Sequence, residues 1–149
     1  MFEEREEIYT LSAEDYSQIR ENIQRNVLQT ARENRDVTFY LFFPPYSICH
    51  WNTLVRTKQL DAQLDAEKYA VELLLEAENI HVFSFADQIG TISDLDNYTD
   101  ALHYGEWVNS DILKWIREGK GELTEENYSE WFQQIKEFYQ NYDFAELSQ

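Results

Sequence analysis

The run Val37–Phe43, with the sequence VTFYLFF, decides the fold of this chain. It is β-branched and aromatic almost throughout, and Pro44 and Pro45 follow it directly. Because proline cannot donate a hydrogen bond to a sheet, the pair ends any strand at this point. An uninterrupted apolar run of this kind is typical of a strand that is buried on both faces in a parallel sheet, and we predict such a strand over 37–43.

A second run of the same character, Ile80–Phe85 with the sequence IHVFSF, predicts another strand. Between the two runs, apolar residues recur at helical spacing from about Leu54 to Glu78, which predicts a helix. Strand, helix and strand in this order form a right-handed crossover, so both strands should lie parallel in one sheet. The predicted fold class is α/β.

Helical spacing of apolar residues predicts three further helices, over 12–34, about 106–117 and about 124–143. The last of these is amphipathic, and its aromatic stripe is predicted to be core or docking surface rather than a cofactor site. Its solvated face is predicted to carry a group of acids, namely Glu122, Glu125, Glu126, Glu130 and Glu137.

Only two strands are evident, whereas a sheet usually has about four to six. We therefore expect residues 1–149 to form one incomplete α/β domain, a partial three-layer parallel sheet with flanking helices. At least one edge of that sheet should be open. An open edge on such apolar strands indicates that something docks there, either another copy of the chain or a missing part of the domain.

The charge of the chain excludes one class of partner. Of its 149 residues, 29 are Asp or Glu and 12 are Lys or Arg, so the formal charge near pH 7 is −17. A surface this negative repels phosphate backbones, and no basic patch offsets it, so we expect no nucleic-acid partner. The single cysteine, Cys49, excludes an internal disulfide.

Membrane attachment and metal binding are also not expected. The longest apolar run falls far short of the roughly 20 residues that a membrane-spanning helix needs, so we expect no membrane contact by this chain. Residues Met1–Glu7 lack the basic flank and apolar stretch of a secretory signal. A metal site could be suggested by the group Asp94, Asp96, Asp100 and His103. This group lacks the glycine and the further oxygen ligands of a calcium loop, so no metal or other cofactor is expected.

One pair of residues is placed for acid–base chemistry. In open parallel sheets, catalytic groups collect beyond the carboxyl ends of the strands, which here means segments 44–51 and 94–105. Asp100 and His103 stand three residues apart in the second segment, close enough for contact within a turn. A carboxylate in that position holds the tautomer of the imidazole and stabilises its protonated form, as a general base beside a hydroxyl nucleophile requires.

Two stretches of the chain resemble SGNH/GDSL-type hydrolases. The run 96–104, DNYTDALHY, followed by 108–113, VNSDIL, resembles the closing block of that family, in which the catalytic Asp and His stand as Asp-x-x-His after the last strand. The run 39–48, FYLFFPPYSI, is similar to the penultimate strand of a bacterial subgroup. Members of that subgroup are commonly membrane-anchored and face outward, and some relatives carry out O-acyl transfer to cell-envelope polymers. The resemblance extends from about Asn22 to Tyr128.

The resemblance implies a flavodoxin-like SGNH domain, of which this chain is the C-terminal half. It implies Asp100 as the orienting acid and His103 as the general base, with Asn97, Tyr98 and Tyr104 as supporting residues of the same loop. An acyl ester or a cell-envelope polymer is then the expected substrate of the full-length protein, and the missing N-terminal half is an expected docking partner.

The nucleophile of such a site is the part that this sequence lacks. The family places its serine in a Gly-Asp-Ser-like turn after the first strand, and this chain has no glycine before Gly90. We therefore expect a C-terminal fragment of an esterase or O-acyltransferase that is inactive alone, because a base without its nucleophile cannot form an acyl-enzyme. Ser47, at the same end of the sheet, is the local hydroxyl that could substitute, although no glycine-rich elbow exposes it.

A second hypothesis belongs to another class of function, a non-catalytic interaction module. In it, the open sheet edge and the aromatic C-terminal helix dock a partner or another copy of the chain. The shortage of strands and the abundance of Trp and Tyr support this alternative.

Overall fold

The computed structural model describes residues 7–145, which form an α/β fold with helices on both faces of a small sheet. Strand β1 (Phe39–Phe43) and strand β2 (Ile80–Ser84) pair in parallel over their whole length. The predicted α/β class and the two parallel strands are therefore confirmed.

A third strand, β3 (Glu122–Leu123), pairs antiparallel with the other edge of β2, so the sheet is mixed and its order is β1-β2-β3. The sequence predicts only parallel strands and assigns Glu122 to the solvated face of the last helix, and both predictions are wrong. Glu122 lies in the sheet, where its Oε1 is 2.7 Å from Nδ1 of His81 on β2. A two-residue strand is too short to show an alternating pattern, which is why the sequence does not predict it.

Strand β1 lies at the edge of the sheet, and the prediction that both of its faces are buried is wrong. Its residues Phe39, Leu41 and Phe43 pack against the main core. On the opposite face, Tyr40 and Phe42 are 53% and 40% exposed. The apolar composition of β1 thus reflects one covered face and one open face.

The first helical stretch begins with α1 (Ala13–Ile23), continues as a π-helical segment (Gln24–Leu28) and ends with α2 (Gln29–Glu33). A capping box starts it, because the Ser12 hydroxyl accepts from the Asp15 amide and the Asp15 carboxylate accepts from the Ser12 amide. The helix predicted from Ser12 to residue 34 is confirmed, with a π segment that the apolar period does not reveal.

The crossover between β1 and β2 contains two helices, α3 (Ile48–Arg56) and α4 (Leu60–Leu74), so the prediction of one helix over 54–78 is wrong. Lys58 separates them in the left-handed region, with φ of 56°. A residue in that conformation commonly closes the last turn of a helix. Because Lys58 is neither glycine nor proline, the apolar period alone predicts an unbroken helix here.

After β2 the chain forms a short helix, α5 (Ile89–Ile92), and then α6 (Glu106–Arg117), which confirms the helix predicted there. Helix α6 packs on the sheet face opposite the main core, where its apolar side chains meet Phe83 and Phe85. This second, smaller core covers β2 and leaves the outer face of β1 open.

The main core lies between the other face of the sheet and the remaining long helices, including the last one, α7 (Tyr128–Asn141). Trp51 of α3 stacks on Tyr139 of α7, with ring centroids 4.2 Å apart. The Tyr139 hydroxyl donates to the carbonyl of Ala86 at 2.6 Å. These contacts fix α7 against the segment that leaves β2.

Helix α7 is the aromatic helix predicted over 124–143, but it begins later than predicted. The Asn127 carboxamide accepts from the amide of Thr124 and donates to the carbonyl of Glu122, which holds the preceding residues in a turn. The aromatic stripe supplies part of the main core, as predicted, through the buried residues Phe132, Ile135 and Tyr139.

Gly121 sets how closely β3 approaches the end of β2. Its φ is +77°, and a Cβ built on it would lie 2.5 Å from the carbonyl oxygen of Ser84. Its own carbonyl accepts from the Ser84 amide at 2.9 Å. The position therefore requires a residue that has no side chain and tolerates a positive φ.

We expect Gly121→Ala to lower the free energy of unfolding by more than about 1 kcal/mol, because the methyl group meets backbone and the φ is unfavourable. Urea denaturation followed by circular dichroism measures the change. Gly90→Ala is the matched control, since a Cβ there meets nothing within 4 Å. Its stability should be unchanged or rise by roughly 0.4–1 kcal/mol. Equal effects of the two substitutions would contradict this explanation.

Glu67 of α4 is an ionisable residue buried in the protein. Gln63 donates to its Oε1 at 2.6 Å, while its Oε2 is buried without a hydrogen-bond partner among the described residues. Burial raises the pKa of Glu67 to about 7, and the hydrogen bond from Gln63 opposes that rise only in part.

The raised pKa of Glu67 makes stability depend on pH. Above the ordinary pKa of 4.5, the folded chain holds a proton on Glu67 that the unfolded chain releases. The contribution of Glu67 to the free energy of unfolding is therefore complete below pH 4.5 and is lost as the pH rises through about 7. We expect Glu67→Gln to raise the free energy of unfolding at alkaline pH by on the order of 2–3 kcal/mol. Denaturation at several pH values measures this, with Glu72→Gln as the exposed control on the same helix. A variant as pH-dependent as the parent chain would refute the assignment.

Candidate functional site

The segment after α5 forms a closed turn, which we call the Asp100 loop (residues 97–105). Tyr98 and Tyr104 pair across its base in an isolated antiparallel bridge. The tip of the turn carries the two residues that the sequence singles out, Asp100 and His103. The three-residue spacing between Asp100 and His103 therefore corresponds to one tight turn.

The carboxylate of Asp100 closes the tip of the loop. Its Oδ1 accepts from the backbone amides of Leu102 and His103 at 2.8 and 2.9 Å, and its Oδ2 lies 2.7 Å from Nδ1 of His103. The two amide hydrogen bonds, followed by the imidazole contact, lower the pKa of Asp100 to about 2. The carboxylate is therefore ionised at neutral pH and acts as acceptor in all three interactions.

The contact also fixes the tautomer of His103. Because an ionised carboxylate can only accept, Nδ1 carries the hydrogen, and in the neutral imidazole the lone pair lies on Nε2. The side chains of His103 and Asp100 are 75% and 56% exposed, so the pair is open to solvent. The arrangement can accept a proton at Nε2 while Asp100 stabilises the resulting imidazolium.

Two hydroxyl groups hold the Asp100 loop against the turn that follows β1. The Tyr98 hydroxyl donates to the carbonyl of Pro45 at 2.6 Å, and the Ser47 hydroxyl donates to the carbonyl of Ala101 at 2.8 Å. Burial raises the pKa of Tyr98, so its phenol remains a donor. As a result, a loop that follows β2 in sequence lies beside the end of β1, as the parallel pairing predicts.

Ser47, the predicted substitute nucleophile, has a structural position. It is completely buried, and its hydroxyl accepts from the amide of His50 at the start of α3 while donating to Ala101. No hydrogen bond joins it to His103, although both residues belong to the described part of the chain. Ser47 thus caps a helix and supports the Asp100 loop, and the structure does not present it as a nucleophile.

Asn97 and Tyr104 support the base of the loop. The side-chain carbonyl of Asn97 accepts from the indole of Trp107 at 2.7 Å, and its backbone carbonyl accepts from the amide of Gly105 at 2.8 Å. The Trp107 ring lies so close to Gly105 that a Cβ there would overlap with it. Tyr104 packs against the second core, where burial raises its pKa. No pattern in the sequence predicts the role of Trp107, because its partner Asn97 lies ten residues earlier in the chain.

A shallow pocket of about 240 Å³ lies beside Asp100, and His103 is not among its lining residues. It is smaller than the roughly 300–1,000 Å³ typical of ligand pockets, so it suits only a small group. Cys49 is partly exposed and reaches this pocket, a position that the sequence does not predict. The lining residues are Ser47, Cys49, Leu95, Tyr98, Thr99, Asp100 and Ala101.

The described residues offer few other candidates for chemistry. Among residues 7–145, no group of three or more His, Cys, Asp or Glu could hold a metal ion. None of the helices in that range has both the length and the apolar character to span a bilayer. His50 is mostly buried against Tyr46 and Trp51, and burial lowers its pKa to about 4, so it stays neutral.

No protein-family model matches the chain, and no curated protein or solved structure shows significant similarity to it. The resemblance to SGNH/GDSL-type hydrolases therefore remains a prediction from the sequence.

We expect the Asp100 carboxyl to titrate with a midpoint near pH 2, below its ordinary pKa of 3.8. Because the pKa of Asp100 is lower in the folded chain, its ionised carboxylate stabilises the loop fully above pH 3.8. This stabilisation is lost as the pH falls through about 2, so the loop should loosen there. Carbon-detected NMR of the side-chain carboxyl measures the midpoint, and the amide signals of Leu102 and His103 measure the loosening. In His103→Ala the midpoint should rise yet stay below 3.8, since the two amide donors remain. An ordinary midpoint in the parent chain would contradict the loop geometry.

Proposed function

We propose that Asp100 and His103 are the acid–base half of an SGNH-like esterase or O-acyltransferase site, and that a segment beyond the described residues supplies the nucleophilic serine. The observation that carries this proposal is the 2.7 Å contact between Asp100 Oδ2 and His103 Nδ1, in a pair open to solvent. A carboxylate fixed by two amides orients the imidazole before any substrate arrives.

The chemistry follows from the free lone pair on Nε2 of His103. A serine hydroxyl placed there loses its proton to Nε2 as its oxygen attacks the carbonyl carbon of an acyl ester. The imidazolium, stabilised by Asp100, then returns the proton to the departing alkoxide. Water or a polymer hydroxyl takes up the acyl group in the second half of the reaction, which corresponds to hydrolysis or O-acyl transfer.

The hydrogen bonds of the hydroxyl groups near His103 favour a nucleophile from outside the described residues. Three hydroxyls surround the tip of the loop, and each already donates to a backbone carbonyl: Ser47 to Ala101, Thr99 to His103 and Tyr98 to Pro45. Their part is to position the loop. A nucleophile recruited from among them would have to break a hydrogen bond that holds the loop in place.

A second histidine–carboxylate pair provides an internal comparison. His81 and Glu122 are also 2.7 Å apart, but they join β2 to β3. The ring of Tyr40 stacks on His81, with centroids 5.2 Å apart. This pair has the same chemical groups in a structural setting, which makes His81 the matched control for His103.

We expect the chain alone to leave short acyl esters unhydrolysed, and a fluorophosphonate probe to leave Ser47 unlabelled, because Ser47 is buried and hydrogen-bonded. Ester hydrolysis is followed by release of p-nitrophenol, and labelling is followed by mass spectrometry of the intact chain. Turnover that is abolished by Ser47→Ala would overturn the proposal that the serine lies elsewhere.

The complementary test supplies the missing group. The polypeptide encoded in frame upstream of Met1 is searched for a Gly-x-Ser turn and, where one is present, expressed joined to this chain. Ester turnover should then be lost in His103→Ala and fall roughly 10⁴-fold in Asp100→Asn, the loss that this substitution causes in a Ser-His-Asp site. His81→Ala should leave it intact. Full activity in His103→Ala would exclude His103 as the base.

A further inference from the structure

The free edge of β1 is the feature of the structure that most needs a partner. In a parallel ladder, alternate residues bond to the same neighbour. The Phe39 amide and the Phe43 carbonyl bond to residues that flank β2, at 2.8 and 3.2 Å. The amides and carbonyls of Tyr40 and Phe42 therefore point away from β2, and no strand among residues 7–145 pairs with them.

The side chains of the same two residues form an open aromatic surface. Tyr40 and Phe42 lie on the face that α6 covers only over β2, and they contact Phe83 and Phe85 at centroid distances of 6.3 and 6.0 Å. Both remain 40% exposed or more. The edge thus combines unpaired backbone groups with apolar side chains beside them.

Within its own sequence, β1 carries none of the features that usually protect an exposed edge. Natural edge strands carry a lysine, a proline or a bulge that discourages pairing. Strand β1 consists of FYLFF, and its five residues pair with β2 in unbroken register. The first prolines, at 44 and 45, come only after the strand has ended.

The charge pattern indicates which partner fits this edge. Residues 37–55 contain no Asp, Glu, Lys or Arg, although the whole chain carries a formal charge of −17. A basic partner would find nothing to neutralise along this segment. Two copies of the chain, which repel each other elsewhere, can pair along this segment without placing charged side chains of the two strands opposite each other.

We propose that β1 pairs antiparallel with β1 of a second copy, about a two-fold axis at Leu41. Tyr40 then lies opposite Phe42 of the second copy, and each such pair exchanges both of its backbone hydrogen bonds. The two aromatic side chains of each pair lie on the same face and contact across the strands. The product is one continuous sheet in the order β3-β2-β1-β1-β2-β3.

The proposed interface is small. A five-residue strand and two half-exposed aromatic side chains from each copy bury less than the roughly 1,600 Å² of a standard interface. We therefore expect a concentration-dependent dimer with a Kd on the order of 10–100 μM. This inference does not depend on the chemistry of the Asp100 loop.

Sedimentation velocity between about 5 and 500 μM should show the parent chain changing from monomer to dimer. Phe42→Pro removes an outward amide while sparing the bonds to β2, and it should weaken the dimer at least tenfold. Tyr40→Lys, which charges the same edge, should do so too and covers the case in which the proline variant does not fold. Phe138→Lys is the matched control, because Phe138 is 39% exposed on α7 and should not affect dimerisation.

Cross-linking tests the register in a Cys49→Ser background. Leu41 meets its own copy in a non-hydrogen-bonded pair, so Leu41→Cys should oxidise to a covalent dimer, whereas Thr38→Cys should not. A chain that stays monomeric at every concentration overturns the proposal. A dimer unaffected by both Phe42→Pro and Tyr40→Lys does so too, and cross-linking through position 38 alone excludes this register.

Discussion

The parallel ladder between β1 and β2 is the interaction on which the rest of the structure depends. Parallel neighbours require a long crossover, and here that crossover is α3 and α4, which supply much of the main core. The ladder also places β2 in the centre of the sheet, where Val82 faces the main core and Phe83 faces α6. All three layers of the molecule are therefore organised around one strand.

The sequence predicts these main elements because each of them carries a strong periodic or apolar pattern. Two apolar runs and long helical periods identify the parallel strands, the crossover and the last helix. The errors occur where structure depends on contacts that no period records: β3 is too short to alternate, and Lys58 breaks a helix through its backbone conformation alone. The exposure of Tyr40 is of the same kind, since composition does not reveal which face of a strand the other elements will cover.

The candidate site, too, can be predicted from the sequence only in part. The contact between Asp100 and His103 follows from short-range geometry, because an aspartate that accepts the next amides along the chain turns the backbone back toward its own side chain. The groups that hold the loop in place are distant in sequence, at Pro45 and Ser47. Spacing therefore predicts the pair, whereas its position beside β1 depends on the completed sheet. The buried role of Ser47 depends on it equally.

The free edge of β1 and the Asp100 loop are physically linked, since Tyr98 and Ser47 hold the loop to the turn that follows β1. A strand added parallel to β1 would end beside that loop and could bring a serine toward His103. A second copy paired antiparallel would use the same backbone groups and place the segment before its own β1 there instead. The two occupants exclude each other, because the outward amides of β1 can bond to only one neighbour. Self-pairing through this edge would thus hold the chain in a form that cannot receive a nucleophile-bearing strand.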